Sequence, residues 1–182
     1  MTSIYRPPWR VDVTVRDGVR PPVPVAALAD AIGLTLTAAG APLPASIGLI
    51  LADDRELSTL NETHLGHEGP TDVLSFPLLP PAAFPTHEGA SMRVAGAPAS
   101  PPATFALPPG RRPHLGDVVV SVERAIEQAV EGRGGHTGDV RWAPADELRL
   151  LVIHGTLHIC GWDHTEPAEE SAMRALERRL LG

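Results

Sequence analysis

Three histidines near the end of the chain have the spacing of metal ligands. His154 and His158 are four residues apart, so a helix would stack both imidazole rings on one face, one turn apart. Gly161 can end that helix in the left-handed conformation, and the turn can bring His164 back toward the first two rings. Three neutral imidazoles suit zinc, and a fourth position open to water is typical of a catalytic site. The sequence therefore predicts one zinc ion per chain, held by His154, His158 and His164.

The residues around these histidines bear on the alternatives. A lone histidine on an apolar helix is usually a core residue, but three with a glycine at the turn favour metal binding. Residues 148 and 150–153 are apolar, so the histidine helix is predicted to be buried. Cys160 is predicted to be a small core residue and not a ligand, because three histidines already fill the protein positions of an open zinc site.

The histidine spacing is also similar to the metzincin metalloprotease pattern. In that pattern a glutamate follows the first histidine and acts as the general base. Gly155 stands in that place here, so a protease of this type would lack its proton acceptor. Another group, or the metal-bound hydroxide itself, must then accept the proton. The candidates are Asp72, Asp117 and Asp163, and the sequence does not choose among them.

Composition predicts one globular domain that spans residues 1–182. The hydrophobic share of 43% is ordinary for such a domain, and the net charge of -7 disfavours a broad basic face for nucleic acid while leaving a local basic cleft open. Cys160 is the sole cysteine, which excludes an intrachain disulfide and fits a reducing cytosol. No run approaches the roughly 18 apolar residues that span a bilayer. We therefore expect a cytoplasmic protein with no membrane partner.

Periodicity along the chain predicts the order of its elements. Strands are expected at 11–15, 46–51, 71–77 and 115–121, and helices at 24–39, 54–61, 122–130, 146–160 and 167–180. These elements predict an α+β domain with one small mixed sheet of about four strands, about five helices and the histidine helix buried at the centre. A proline-rich insert at about 80–113 is expected to be an irregular, mobile surface excursion. A glycine-rich loop at 132–138 lacks the ending of a phosphate-binding loop.

Three stretches of the sequence share the motifs of one known family. Residues 154–164 fit the pattern H-G-x-L-H-x-x-G-[YF]-D-H with Trp162 at the aromatic place, residues 71–77 are T-D-V-L-S-F-P, and residues 115–118 are close to L-G-D-I. In this order they resemble the YbeY family, the bacterial rRNA maturation factors regarded as metal-dependent endoribonucleases. The resemblance covers the chain from about residue 45 to its end.

The resemblance implies a zinc-dependent endoribonuclease that acts in rRNA maturation and ribosome quality control, by metal-activated attack on an RNA phosphodiester. Its partners would be an rRNA precursor and the small ribosomal subunit. It also implies that Thr71, Asp72 and Ser75 line a substrate cleft beside the metal. The residues alone leave a second interpretation open, in which Asp72 caps a turn and Ser75 fills a strand position.

One cleft position departs from the family pattern. The family has an aromatic residue and then an arginine in a stretch like L-N-x-x-[YF]-R, whereas residues 60–65 are L-N-E-T-H-L. Leu65 therefore stands where an arginine would meet a phosphate, and His64 or His67 is a candidate partial replacement. This departure and the acidic charge favour an alternative function, a zinc-bearing ribosome-assembly factor that binds RNA without strong nuclease activity.

Overall fold

The chain folds into one mixed sheet with helices packed on it. The structure is a computed structural model that describes residues 1–90, 112–131 and 143–182, apart from the side chain of Leu65. Most of the predicted insert and the whole glycine-rich loop lie outside the described residues. The strands are β1 Thr2–Arg6, β2 Trp9–Val15, β3 Ala45–Ala52, β4 Val73–Pro77 and β5 His114–Ser121. The helices are α1 Val25–Ala38, α2 Asp54–Leu65, α3 Val122–Glu131, α4 Pro144–Ile159 and α5 Pro167–Leu181.

The sheet has the order β1-β2-β3-β5-β4, with five strands and not the predicted four. Strands β2, β3 and β5 run parallel, and β1 and β4 pair antiparallel at the two edges. The α+β prediction is confirmed, and the missed element is β1. In β1 Ile4 is half-buried and Tyr5 is exposed, so this edge strand has no alternation of buried and exposed apolar residues from which to predict it.

Helix α4 lies at the centre of the helical layer, as its apolar sequence predicted. It packs against β4 and β5 and against α1, α3 and α5. Leu148 and Val152 join the main core under the sheet, while Ile153 and Leu157 pack against Met173 of α5. None of the helices in the described ranges is both long enough and apolar enough to cross a bilayer.

At Gly155, helix α4 lies in close contact with the sheet. A Cβ atom there would lie 2.6 Å from Cγ1 of Val118 on β5 and 2.9 Å from Cγ2 of Val73 on β4. The hydroxyl of Ser75 on β4 donates a hydrogen bond of 3.0 Å to the carbonyl oxygen of Gly155. Residue 155 therefore faces the strands, and a side chain as large as glutamate would collide there with Val118 and Val73.

The first part of the predicted excursion packs on the fold. After the short 3-10 helix Pro81–Ala83, Phe84 is only 8% exposed and belongs to the main core. A Cβ atom on Gly40 would lie 2.9 Å from Cγ of Pro85, so the chain at the end of α1 touches this segment. The expectation of a surface excursion, which followed from the prolines, overlooked Phe84 as a large apolar anchor in the core.

We predict opposite effects for two glycine-to-alanine substitutions within helices. Gly155→Ala should lower the free energy of unfolding, because overpacking against stiff valines typically costs about 1–3 kcal/mol and outweighs the helix propensity gain of about 1 kcal/mol. Gly33→Ala in α1 is the matched control, since its Cβ would meet Arg6 and Trp9 at 3.5 and 3.6 Å, which is ordinary contact. It should raise stability by about 0.5–1 kcal/mol. Urea unfolding measures both, and equal gains would show that α4 does not approach the sheet this closely.

Candidate metal centre

The three predicted histidines converge at the C-terminal end of α4. His154 and His158 project from one face of the helix, and their Nε2 atoms are 3.0 Å apart. Helix α4 ends at Ile159, and Gly161 with a φ of 85° turns the chain back. The ring of His164 then lies 5.7 Å from that of His154 and 5.1 Å from that of His158, between ring centroids. One nitrogen from each histidine lies within 4.8 Å of the others.

Hydrogen bonds on the far side of two rings decide which nitrogen faces the common point. Nδ1 of His158 donates to the carbonyl oxygen of Trp162 at 2.9 Å, and a carbonyl can only accept. Nδ1 of His154 lies 2.7 Å from Oε1 of Glu177, whose side chain on α5 is fully buried. With the protons held on Nδ1, the Nε2 lone pairs of both rings point toward each other.

The donor set fits zinc. Zinc binds imidazole nitrogen at about 2.0–2.1 Å with tetrahedral angles, which places neighbouring ligand nitrogens about 3.3 Å apart. The separation of 3.0 Å between the Nε2 atoms of His154 and His158 is close to that value. Cys160 is not part of the group: it is 1% exposed in the core, and burial raises the pKa of its thiol to about 12. A thiol that stays protonated is a poor ligand, so the sequence interpretation of Cys160 agrees with its position.

The environment keeps His158 neutral. Burial is the main cause that lowers its pKa from 6.5 to about 4, and the neighbouring His154 and His164 rings lower it further. The hydrogen bond to Trp162 and the charge of Asp163 act in the opposite direction but are weaker. A neutral imidazole is the form that binds a metal ion, so His158 is ready to bind without first losing a proton at neutral pH.

A cleft of about 740 Å³ opens beside the three histidines. Four residues expected from the sequence line it: Thr71, Asp72, Ser75 and Asp163. His64, named above as a candidate partial replacement for the missing arginine, also lines the cleft. Phe76 and Trp162 line it too and were not expected there. His64, in the last turn of α2, meets the ring of Phe76 edge-on with centroids 5.2 Å apart. This pairing depends on how α2 packs against β4, which no local pattern encodes.

The three candidate aspartates have different surroundings. In Asp72, Oδ1 accepts from the amide of Val73 at 2.8 Å and Oδ2 accepts from Nε2 of Gln128 at 3.0 Å. The carboxylate of Asp163 accepts from the amide of His164 at 2.7 Å and from the hydroxyl of Thr165 at 3.0 Å. Both of these aspartates line the cleft.

Asp117 is not among the residues that line the cleft. Its Oδ1 lies 3.1 Å from Nε2 of His114 and rests against Gly48 of the neighbouring strand. The backbone of Leu65 ends α2, but its side chain is outside the described part of the chain. Its expected place in the cleft therefore remains a prediction.

Comparison with known proteins identifies relatives along most of the chain. The family model described as Endoribonuclease YbeY matches residues 25–182. A protein named Endoribonuclease YbeY from Roseiflexus sp. (strain RS-1) is 34% identical over 172 residues, covering 94% of this chain and 90% of the relative. Another of that name from Salinispora tropica is 41% identical over 137 residues, covering 75% of this chain and 73% of the relative.

A solved structure shares the fold. The solution structure of TM1509 from Thermotoga maritima matches with a TM-score of 0.53 and 19% identity, covering 94% of this chain and 86% of that one. At this identity the likeness concerns the fold alone, and it agrees with the α+β architecture described above.

We predict one zinc ion per chain in protein purified without chelator. His158→Ala should abolish stoichiometric metal, because it removes one of two nitrogens fixed on the same helical face. His114→Ala is a control, since His114 lies beside Asp117 and not in the ligand group. Elemental analysis measures the ratio. Full metal content in the His158→Ala protein would refute the site.

We also predict how the pH affects the metal-free protein. Nuclear magnetic resonance should show the His158 ring titrating with a midpoint near pH 4. The folded pKa is below the unfolded value, so the stability that His158 contributes is full above pH 6.5 and is lost as the pH falls toward 4. The difference in unfolding free energy between the parent and His158→Gln should therefore shrink over that window, by at most about 1.4 kcal/mol per pH unit. A constant difference would contradict the burial of this ring.

Proposed function

Since the chain belongs to the endoribonuclease YbeY family, we propose that it is a zinc-dependent endoribonuclease. The observation that carries this proposal is the convergence of three imidazole nitrogens at the wall of a cleft lined by β4. The proposal extends to a role in rRNA maturation and ribosome quality control in the cytoplasm. An rRNA precursor and the small ribosomal subunit are then its partners, as the shared motifs of residues 71–77 and 154–164 imply.

The residues at the site would have different roles. His154, His158 and His164 would hold the ion, while Glu177 and the carbonyl of Trp162 fix the ring orientations. Zinc bound there would supply a Lewis acid for a phosphoryl oxygen and would lower the pKa of water to about 7. Ser75 keeps β4 against α4, so the strand that lines the cleft stays beside the histidines.

One of the two aspartates in the cleft would accept the proton that the attacking nucleophile loses. Both carboxylate oxygens of Asp72 accept hydrogen bonds from Val73 and Gln128, which tie the start of β4 to α3. Asp163 is close enough to His158 for its charge to raise that pKa, and it adjoins His164 in the chain. Both carboxylates accept at least two hydrogen bonds, so their position relative to the histidines is the difference between them. We propose Asp163 as the proton acceptor because it lies beside the ligands, and a structural role for Asp72 because it joins β4 to α3.

Aromatic rings provide the other contacts that RNA can use. The edge-on pair of His64 and Phe76 lies in the cleft with the metal ligands. Unstacked bases of single-stranded RNA stack readily on such rings. We propose that this pair receives a base next to the scissile phosphate, so that base stacking contributes to positioning the substrate.

One observation favours the alternative of a binding factor without strong nuclease activity. No arginine is found among the described residues that line the cleft, although arginine provides the bidentate contact that best stabilises a phosphate. A protein with this lining could hold RNA through stacking and bring the metal centre to a ribosomal subunit. The two functions predict the same RNA affinity but different cleavage.

We predict that the zinc-loaded protein cuts single-stranded RNA internally and leaves casein intact. Removing the ion with a chelator, or replacing His158 with alanine, should lower the cleavage rate at least about a hundredfold, because a catalytic metal contributes several kcal/mol to the transition state. Gel analysis of end-labelled RNA gives the rate, and filter binding gives the affinity. RNA bound tightly by the zinc-loaded protein but left uncut would support the binding factor.

A further inference from the structure

The third metal ligand lies in a loop and not on a helix. This ligand loop, residues 161–165, follows the end of α4 and carries His164. Its residue Asp163 donates its backbone N–H to Oε1 of Glu169 at 2.8 Å. Glu169 lies in the first turn of α5 and is 3% exposed. A buried carboxylate therefore fixes the backbone directly before the ligand.

The same oxygen of Glu169 is also held by His87 from the proline-rich insert. Nε2 of His87 lies 2.7 Å from Oε1 of Glu169. The ring of His87 stacks on Trp162, with centroids 3.9 Å apart and planes 13° from parallel. His87 thus touches one residue of the ligand loop through its ring, and reaches a second, Asp163, through the shared oxygen.

His87 is itself held in place by the residues on both sides of it. Phe84 is in the core, and Pro85 contacts the chain at Gly40. On the other side Gly89, with a φ of 80°, lies against the start of α5, where an added Cβ would be 2.5 Å from the backbone nitrogen of Glu169. Residues 84–89, the strap, are therefore anchored at two places, and His87 does not depend on its own contacts alone for its position.

We propose that His87 is a positioning residue for His164. By fixing the carboxylate of Glu169 and covering Trp162, it narrows the range of loop conformations to those in which His164 faces His154 and His158. His87 does not bind the ion, since its Nε2 is directed at Glu169. The inference rests on the proposed metal site, and it gives the strap a function in metal affinity.

The test combines two measurements on four single variants of the full chain and on the double variant His87→Ala/Glu169→Gln. His87→Ala removes both contacts, and His87→Phe keeps a ring on Trp162 but loses the hydrogen bond. Glu169→Gln changes the shared acceptor conservatively. Thr86→Ala is the matched control, because Thr86 is an exposed neighbour in the strap. Competition with a chromogenic chelator gives the zinc dissociation constant. Hydrogen exchange of the Asp163 amide in metal-stripped protein reports the loop directly.

We expect His87→Ala to weaken zinc binding about tenfold, the lower end of the range for partners outside the ligand set. His87→Phe should have an intermediate effect, and Thr86→Ala should have none. The Asp163 amide should exchange faster in His87→Ala and Glu169→Gln than in the parent. In the double variant the losses of zinc affinity should not add, because His87 acts through Glu169.

Failure of this inference differs from failure of the proposed function. A parent protein that binds no zinc would refute the metal site, while the amide exchange would still decide whether His87 restrains the loop. Unchanged exchange of the Asp163 amide in His87→Ala would overturn the positioning role. Unchanged zinc affinity in His87→Ala beside a parent that binds zinc tightly would overturn it as well.

Discussion

The contact between α4 and the sheet at Gly155 determines where the rest of the site can lie. With no side chain at this position, the helix backbone approaches β4 and β5 closely enough for Ser75 to hydrogen-bond to a helix carbonyl. The residues before and after Gly155 on the helix then fall beside the edge strand. That is why His154 and His158 open onto a cleft walled by β4. A larger residue would push the helix away and separate the histidines from that wall.

Helix α5 supplies the second constraint through two buried carboxylates. Glu169 and Glu177 are eight residues apart, so both lie on one helical face, together with Met173 of the core. Burying a carboxylate is costly unless hydrogen bonds compensate. The carboxylate of Glu169 accepts hydrogen bonds from His87 and from the amide of Asp163, and that of Glu177 accepts one from His154. The helix therefore holds one ligand directly and another through the ligand loop.

The sequence predicted those features that depend on local spacing. The helical pair His154 and His158 and the turn at Gly161 place three imidazoles together by geometry alone, and the structure agrees. The α+β class followed from the order of periodic segments. Strand β1 was missed because Ile4 is its one half-buried apolar residue, which is too little for an alternating pattern. Asp117 was a reasonable candidate by residue type. Its exclusion depends on the face of β5 from which it projects, a matter of sheet register.

Other parts of the site were hidden because they depend on long-range contacts. His87 and Glu169 are 82 residues apart in sequence, and the prolines around His87 predicted a loose excursion. Glu169 and Glu177 gave a usable signal, since acidic residues on the apolar stripe of an amphipathic helix need a buried partner. The pairing of His64 with Phe76 gave no such signal in the sequence, because α2 and β4 meet only in the folded chain.

The ligand set is divided between a rigid helix and a short tethered loop, which has a consequence for the chelate effect. His154 and His158 already have nearly the separation that one ion requires, so their share of the ordering entropy is lost during folding. The ligand loop that carries His164 is short and is held at Asp163 by Glu169, so bringing the third imidazole to the ion costs little further entropy. The effective concentration of the third imidazole is correspondingly high. At such a preorganised nitrogen site, discrimination among divalent ions would depend on coordination geometry, because several of them favour imidazole nitrogen.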